Sequence, residues 1–396
     1  MRNFASRTAR ACARTVWISL VCAGCIAAEP SAEDRNVTGI TQPVIGGFDG
    51  TSPKLNAIGS ISFLSEGATA AETSFQAQCT GALLSPNTVL TAKHCLDSFG
   101  AAGRAQTKLV FAVGPDATAP TAYSTVIAVE RAPGNDGGYS GRGHDVGVLH
   151  LDKPLSNAQI VKLGAVGDEL LNQQFVGVGY GRSDNGSELT KRRLGALTLK
   201  ARAGKTYEFL FGNFEAFYRD YTGDSIPASC VAPANPEMPA PAPLPGGDPC
   251  AAFKALRQLY DSTLLEQAHE LAVGSAPGDA QPCFGDSGGP LLKAGANGEL
   301  LAYGVASGGT SSDDLICDHG AVYASFGPEV TTFLQQATAW TDPCDKLPAR
   351  GVCEGTRARR CSTAAEGPRR VVEVDCANAG LRCVMTGEGS TATCGS

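Results

Sequence analysis

"QPCFGDSGGP", residues 281–290, sets Asp286 and Ser287 between glycines and closes on a proline. A serine hydroxyl is inert at neutral pH. Ser287 can act as a nucleophile only if a base, and a group that orients that base, stand elsewhere in the chain. There are five histidines: His94, His144, His150, His269 and His319. His94 stands in "VLTAKHCL", an apolar strand ending at a small-residue turn, beside Cys95. Asp145 stands in "HDVGVLHL", just ahead of an alternating apolar run, where a buried carboxylate needs a strong partner. Taken singly, each is as readily structural as functional. Together with Ser287 they run His, Asp, Ser along the chain, spaced by 51 and 142 residues. The other four histidines read as structural or exposed.

The surrounding chain is built of short β-branched and apolar runs, such as "AIGSISFL", "TKLVFAV" and "QQFVGVGYG", broken by Gly, Pro, Asn and Asp. Many short strands with frequent turn signals predict an all-β barrel or sandwich. One segment is out of character: from Pro227 to Pro249, 8 of 23 residues are proline. Such a run cannot be a central strand and reads as an extended surface loop, with Cys230 and Cys250 placed to staple its base. The following "AAFKALRQLYDSTLLEQAHEL" has helical spacing, and "PEVTTFLQQATAW" reads as a closing helix near Trp340.

Six stretches, in order, carry a resemblance: "VIGG" at 44–47, "CTGALLSPNTVLTAKHC" at 79–95, "HDVGVLHLDKPL" at 144–155, "VGYGR" at 178–182, "CFGDSGGP" at 283–290 and "YGVASGG" at 303–309. On these the chain resembles the trypsin-like serine proteases of the chymotrypsin fold over residues 44–341. The resemblance implies two six-stranded antiparallel β-barrels and a C-terminal helix. It implies that His94 takes the proton from Ser287, that Asp145 holds the imidazole tautomer, and that the N–H groups of Gly285 and Ser287 form an oxyanion hole. It pairs Cys79 with Cys95 and Cys283 with Cys317.

The resemblance also puts Gln281 on the floor of the primary specificity pocket, where trypsin carries an aspartate, with Ser307, Gly309 and Ala321 along the substrate cleft. A neutral amide does not compensate a buried Lys or Arg, so the pocket should take a neutral side chain. Asp279, two residues earlier, reaches the floor only if the alignment slips. Gly308 stands where the family usually has tryptophan, which opens the adjacent subsite. Cleavage before Val44 would free an amine to pair with Asp286. Pro43 precedes that bond, so an activator that needs Lys or Arg would not cut it.

Composition sets the outer bounds. The 396 residues are 43% hydrophobic, with 48 glycines, 23 prolines and a formal net charge of −7, which argues against a nucleic-acid partner. Arg2, Arg7, Arg10 and Arg14 precede the uncharged "TVWISLVCAG" at 15–24, the layout of an export signal over 1–24 and too short to span a membrane. "CAGC" at 22–25 resembles a bacterial lipoprotein box, with Cys25 the residue to be lipidated; ordinary cleavage after Ala27 or Ala28 is the alternative. Residues 25–43 read as a pro-segment or tether. "NVT" at 36 and "NGS" at 185 are treated as turns.

Of 15 cysteines, 12 remain once Cys12, Cys22 and Cys25 are set aside, an even number, as a disulfide framework requires. Six of them fall in the last 53 residues: Cys344, Cys353, Cys361, Cys376, Cys383 and Cys394. Residues 342–396 therefore read as a disulfide module with 15 open connectivities. Without histidine or CxxC spacing there, zinc is disfavoured. The expected protein is a secreted or cell-envelope bacterial endopeptidase without cofactor or metal, acting on proteins and peptides. Its C-terminal module is a candidate binder of a surface, a glycan or a protein. The rival reading is a catalytically silent homologue that acts as a surface adhesion protein.

Overall fold

The computed structural model describes residues 48–66, 73–99, 107–134, 144–156, 158–182, 191–231, 250–311, 317–362, 371–385 and 391–395. The export signal, Cys25, the 25–43 segment with Pro43, Val44, both Asn-X-Ser/Thr sequences and the proline run at 232–249 lie outside the described residues.

Strand β1 (Phe48–Asp49) is followed by β2 (Ile58–Ser65), β3 (Ser74–Ser85), β4 (Thr88–Thr91), β5 (Lys108–Val113), β6 (Ala122–Arg131) and β7 (Gly147–Leu151). The last six close an antiparallel barrel in the order β2-β3-β4-β7-β6-β5. Ile58, Ile61, Ala82, Val89, Phe111 and Val148 fill it and are fully buried. A side chain at Gly59 would begin 2.6 Å from the Phe111 ring, so this glycine makes room for that ring.

The second barrel uses β9 (Gln174–Gly179) and β10 (Arg193–Ala201), preceded by the short β8 (Val161–Leu163), which pairs parallel to a later strand. After β11 (Gly204–Lys205) the chain departs from the barrel into α1 (Thr206–Phe211), α2 (Phe214–Thr222), α3 (Ala251–Ser262) and β12 (Leu264–Leu265), which pairs with β11. It returns as β13 (Glu270–Val273), β14 (Pro290–Ala294), β15 (Leu300–Ser311) and β16 (Cys317–Ser325). The order β10-β13-β16-β15-β14-β9 closes through β9–β10 pairing, giving a second six-stranded barrel, with β1 added on β10. The expected fold class is thus met.

The expected helix over 251–271 is shorter than its periodicity predicts. It stops at Ser262, where Thr263 turns its hydroxyl back onto the Leu259 carbonyl, 2.8 Å away. The remaining apolar residues are strands, because Leu271 and Val273 are needed inside the barrel. The helices form an aromatic satellite core of Phe211, Phe214, Phe217, Tyr218 and Tyr260, which packs on Ala272 and Val322 of the barrel. Asn213 caps α2 by accepting from the Ala216 N–H at 2.9 Å, and Gly223 ends it in the left-handed conformation. Cys230 and Cys250 are bonded at the root of the proline run, as expected.

Helix α4 (Pro328–Thr338) opens on a proline at its first turn and buries Val330, Leu334 and Ala337 on one face. Beyond it Trp340 stacks on His150 at 4.0 Å, tying this end of the chain to the first barrel.

The last segment forms a three-stranded sheet, β17 (Val352–Glu354), β18 (Arg357–Cys361) and β19 (Val371–Asp375), and a hairpin of β20 (Arg382–Met385) and β21 (Ala392–Gly395). Among its described residues the buried apolar ones are Cys344, Ala358, Cys376 and Ala392, so three disulfides stand in for a core: Cys344–Cys361, Cys353–Cys383 and Cys376–Cys394. Among the described residues no helix is long and apolar enough to cross a membrane.

Phe217 is fully buried at the centre of the aromatic cluster. Phe217→Ala should cost about 3–5 kcal/mol of unfolding free energy in a denaturant titration, the range for a large aromatic truncated in a core. A loss below about 1 kcal/mol would mean that the helices do not share the cooperative unit of the barrel.

Candidate active site

His94 sits on a single 3-10 turn, Lys93–Leu96, anchored by the Cys79–Cys95 disulfide to the neighbouring strand. The turn points its ring at Asp145, on the chain entering β7. His94 Nδ1 lies 2.8 Å from Asp145 Oδ2, and the His94 backbone N–H donates to Oδ1 at 3.0 Å. The Ser307 hydroxyl donates to Oδ2 at 2.6 Å. Asp145 is only 2% exposed, so these three donors replace the water that a buried carboxylate gives up. A carboxylate on Nδ1 leaves Nε2 as the free nitrogen of the imidazole.

Ser287 reaches the same place from the second barrel. Its carbonyl accepts from the Thr80 N–H at 2.8 Å and lies 3.6 Å from Cys95 Sγ, the residue after His94. Gly288 packs so closely that a side chain there would begin 2.1 Å from Thr91 Oγ1, and its φ of 79° also demands glycine. Among the described residues neither Ser287 Oγ nor His94 Nε2 has a hydrogen bond. Catalytic contacts of this kind commonly tighten only when substrate is bound.

The backbone around Ser287 is pinned through its carbonyls. The Phe284 carbonyl accepts from Arg182 N–H at 3.0 Å and the Asp286 carbonyl from Gly289 N–H at 2.7 Å. In a planar trans peptide the N–H opposes the C=O, so the N–H groups of Gly285 and Ser287 are turned the other way. Neither has a partner among the described residues. Thr80 Oγ1 donates to the Gly285 carbonyl at 2.9 Å, steadying the left-handed Gly285 at φ 96°.

Asp286 points inward and is 3% exposed. It accepts from Gly181 N–H at 2.7 Å and Cys283 N–H at 2.9 Å. Burial pushes its carboxyl up to about 6, while those two N–H groups and the charge of Arg193 pull the other way. Cβ atoms at Gly179 and Gly181 would begin 2.1 Å and 2.4 Å from this carboxyl group, so both glycines are space for it.

The expected pocket residues separate. Gln281 Oε1 accepts from the Gly320 N–H at 2.8 Å, and Cys283–Cys317 is formed. Gly309 and Ala321 pair across β15 and β16 next to Gly320. The cavity of about 590 Å³ that Gln281 lines is walled instead by Lys200, Phe209, Phe211, Pro277 and His319, on the side of the helical insertion. Ser307 spends its hydroxyl on Asp145. Asp279 is buried and accepts from Thr198 Oγ1, Thr198 N–H and Ala276 N–H. Thr80 was not singled out from the sequence. The only signal for it is its place beside Cys79 in the stretch leading to His94.

Residues 50–208 match the family model described as Trypsin. No curated protein matches the chain. The matched span runs through the first barrel, β9 and β10 and ends inside α1, where the helical insertion interrupts the barrel; Asp286 and Ser287 lie beyond it.

Ser307→Ala removes a hydrogen bond to a buried carboxylate. It should destabilise the fold by about 1.5–3 kcal/mol, read as a lower denaturant midpoint with unchanged slope. No shift in the midpoint would show that the His94 contacts alone satisfy Asp145.

Proposed function

We propose, from the premise that the chain is a trypsin-like serine protease of the chymotrypsin fold and hence a serine-type endopeptidase, that His94, Asp145 and Ser287 are its catalytic residues. The observation that carries this is the His94–Asp145–Ser307 arrangement, held next to the Ser287 turn by the contact of its carbonyl with Cys95, with the N–H groups of Gly285 and Ser287 unpaired among the described residues. Ser287 Oγ attacks a peptide carbonyl as His94 Nε2 removes its proton. The carbonyl oxygen becomes an oxyanion held by the N–H groups of Gly285 and Ser287, a donor pair of which each member is worth about 2.7–4 kcal/mol in the transition state. His94 then gives the proton to the leaving amine, and water releases the acyl group by the same steps in reverse order. Asp145 keeps the Nδ1–H tautomer and stabilises the imidazolium without taking the proton.

For specificity, the amide of Gln281 supports a neutral residue before the scissile bond. Its Oε1 is engaged by Gly320, and it offers no negative charge to a buried Lys or Arg. Six disulfides among the described residues support action in an oxidising, extracellular setting, and with the sequence features this favours an exported enzyme. We take 44–341 as the protease domain, with 342–396 a separate module. Lipid attachment at Cys25 and binding by the module rest on the sequence alone.

The first test compares purified wild type with Ser287→Ala. Wild type should react with a serine-directed fluorophosphonate probe and cleave peptides faster after neutral residues than after Lys or Arg. Ser287→Ala should fold, ignore the probe and be inactive. Equal hydrolysis by both would overturn the assignment.

Activation follows from Asp286. A buried carboxyl raised from 3.8 to about 6 costs the fold about 3 kcal/mol when ionised, and a nearby cation would offset this. The amine of Val44 is the family's cation for this position. The buried Arg192 supports its delivery, since it donates to the carbonyls of Gly50, Ser52, Leu55 and Ile58 and so fixes the chain just downstream. The sign of the pH effect separates the two forms. In a chain still extended before Val44, the raised Asp286 lets the folded state bind more protons, so stability falls as pH rises from about 3.8 to about 6. In the cleaved chain the ion pair removes that loss, and its contribution fades only as pH rises through the raised pKa of the amine. Amino-terminal sequencing of active enzyme should give Val44. Full activity in a chain with residues before Val44 would rule the mechanism out.

A further inference from the structure

His144 comes from a part of the chain distant from Glu266 and His269, and the three meet where the first barrel faces the turn before β13. One ligand atom from each lies within 4.8 Å of the other two. His144 precedes Asp145 and is 8% exposed, with φ 50° and its ring lodged against Gly134, where a side chain would begin 2.3 Å from Nδ1. Its Nδ1 lies 2.7 Å from the Pro133 carbonyl, which can only accept, so that nitrogen carries hydrogen. Its Nε2 then faces Glu266 Oε1 at 3.3 Å, two acceptors aimed at each other unless a cation or a second proton lies between. The His144 and His269 rings are stacked, 3.7 Å between centroids. Across the stack, His269 Nδ1 is buried with no hydrogen-bond partner. An unpaired buried ring nitrogen is costly and calls for an occupant.

We propose that His144, Glu266 and His269 bind a divalent transition-metal ion of the zinc class, bridging the two barrels one residue from Asp145. Two imidazoles and one carboxylate form a donor set that suits zinc and leaves a fourth position for water; calcium and magnesium want oxygen throughout. The Nδ1–H to Pro133 bond is the outer contact that fixes a metal-ligating histidine in the right tautomer. Thiolates do not compete, because all 12 cysteines among the described residues are in disulfides. The rings now lie face to face, planes 21° apart, so both must turn toward a shared ion. That reorganisation is a cost the binding must exceed.

The test is calorimetric titration of zinc chloride, with calcium chloride as control, into the exported chain carrying Ser287→Ala to prevent self-cleavage. One zinc should bind, calcium should not, and zinc should raise the unfolding midpoint. His269→Ala, and separately Glu266→Gln at the half-buried carboxylate, should weaken binding by more than the roughly 10–100-fold that loss of an outer contact costs. Glu266→Gln keeps the test open if His269→Ala does not fold. His94→Ala should leave zinc binding intact. No zinc binding, or binding lost in His94→Ala but kept in Glu266→Gln, would overturn the proposal.

Discussion

One carboxylate, that of Asp286, sets the terms for the cleft. It is sealed from water beside Ser287, and everything near it is shaped to admit it. Gly179 and Gly181 lack side chains because the carboxyl group occupies that space, and Gly181 and Cys283 give it their N–H groups. Holding this one side chain inward obliges residues 283–287 to turn sharply, which is what leaves Gly285 in the left-handed region and Ser287 at the surface of the turn. The geometry at Ser287 is thus a by-product of where a neighbouring carboxyl group is buried. When ionised, such a group is strongly destabilising without a partner.

Much of this was legible in the sequence because it depends on short, rigid stretches. The β-branched and apolar runs at Ile58–Ser65 and Lys108–Val113 are strands buried along almost their whole length, and the glycine-flanked Asp286-Ser287 pair is one of the stretches that carry the resemblance. The Cys230–Cys250 bond was legible because its cysteines flank the proline run, and the resemblance implied Cys79–Cys95 and Cys283–Cys317. The end of α3 was not: Leu264, Leu265 and Leu271 continue a helical period, and only the demand of the barrel for Leu271 and Val273 breaks it. The roles of Thr80 and Ser307 were equally hidden. Both act through hydrogen bonds to residues far along the chain, Thr80 to Tyr180, Gly285 and Ser287 and Ser307 to Asp145, and no local pattern reports bonds of that kind.

The histidines make the same point from the other side. Read singly, His144 and His269 are ordinary buried or part-buried residues. Their meaning comes from contact across the two barrels, with His144 held by Pro133 on one side and stacked on His269 on the other. His150, by contrast, is absorbed locally: its Nε2 bonds Glu130 at 2.6 Å and its face carries Trp340. Two histidines six residues apart therefore serve different ends, one joining the barrels and the other fastening the C-terminal helix.

The helical insertion has a consequence for the order of folding. Strands β10 and β13 are neighbours in the closed barrel, yet the whole of α1, α2, the proline run and α3 lies between them. Closing a longer loop costs little in equilibrium terms, because the entropy grows only with the logarithm of length. It costs more in rate, since distant pairings must wait for the search that brings them together. The insertion shortens that search from within. Its helices make local contacts and collapse on their own aromatics, and the Cys230–Cys250 bond lets the chain bypass the proline run. A preformed helical knot would carry β13 back toward β10, so the second barrel would be the later of the two to close, and its closure would follow oxidation of that one disulfide.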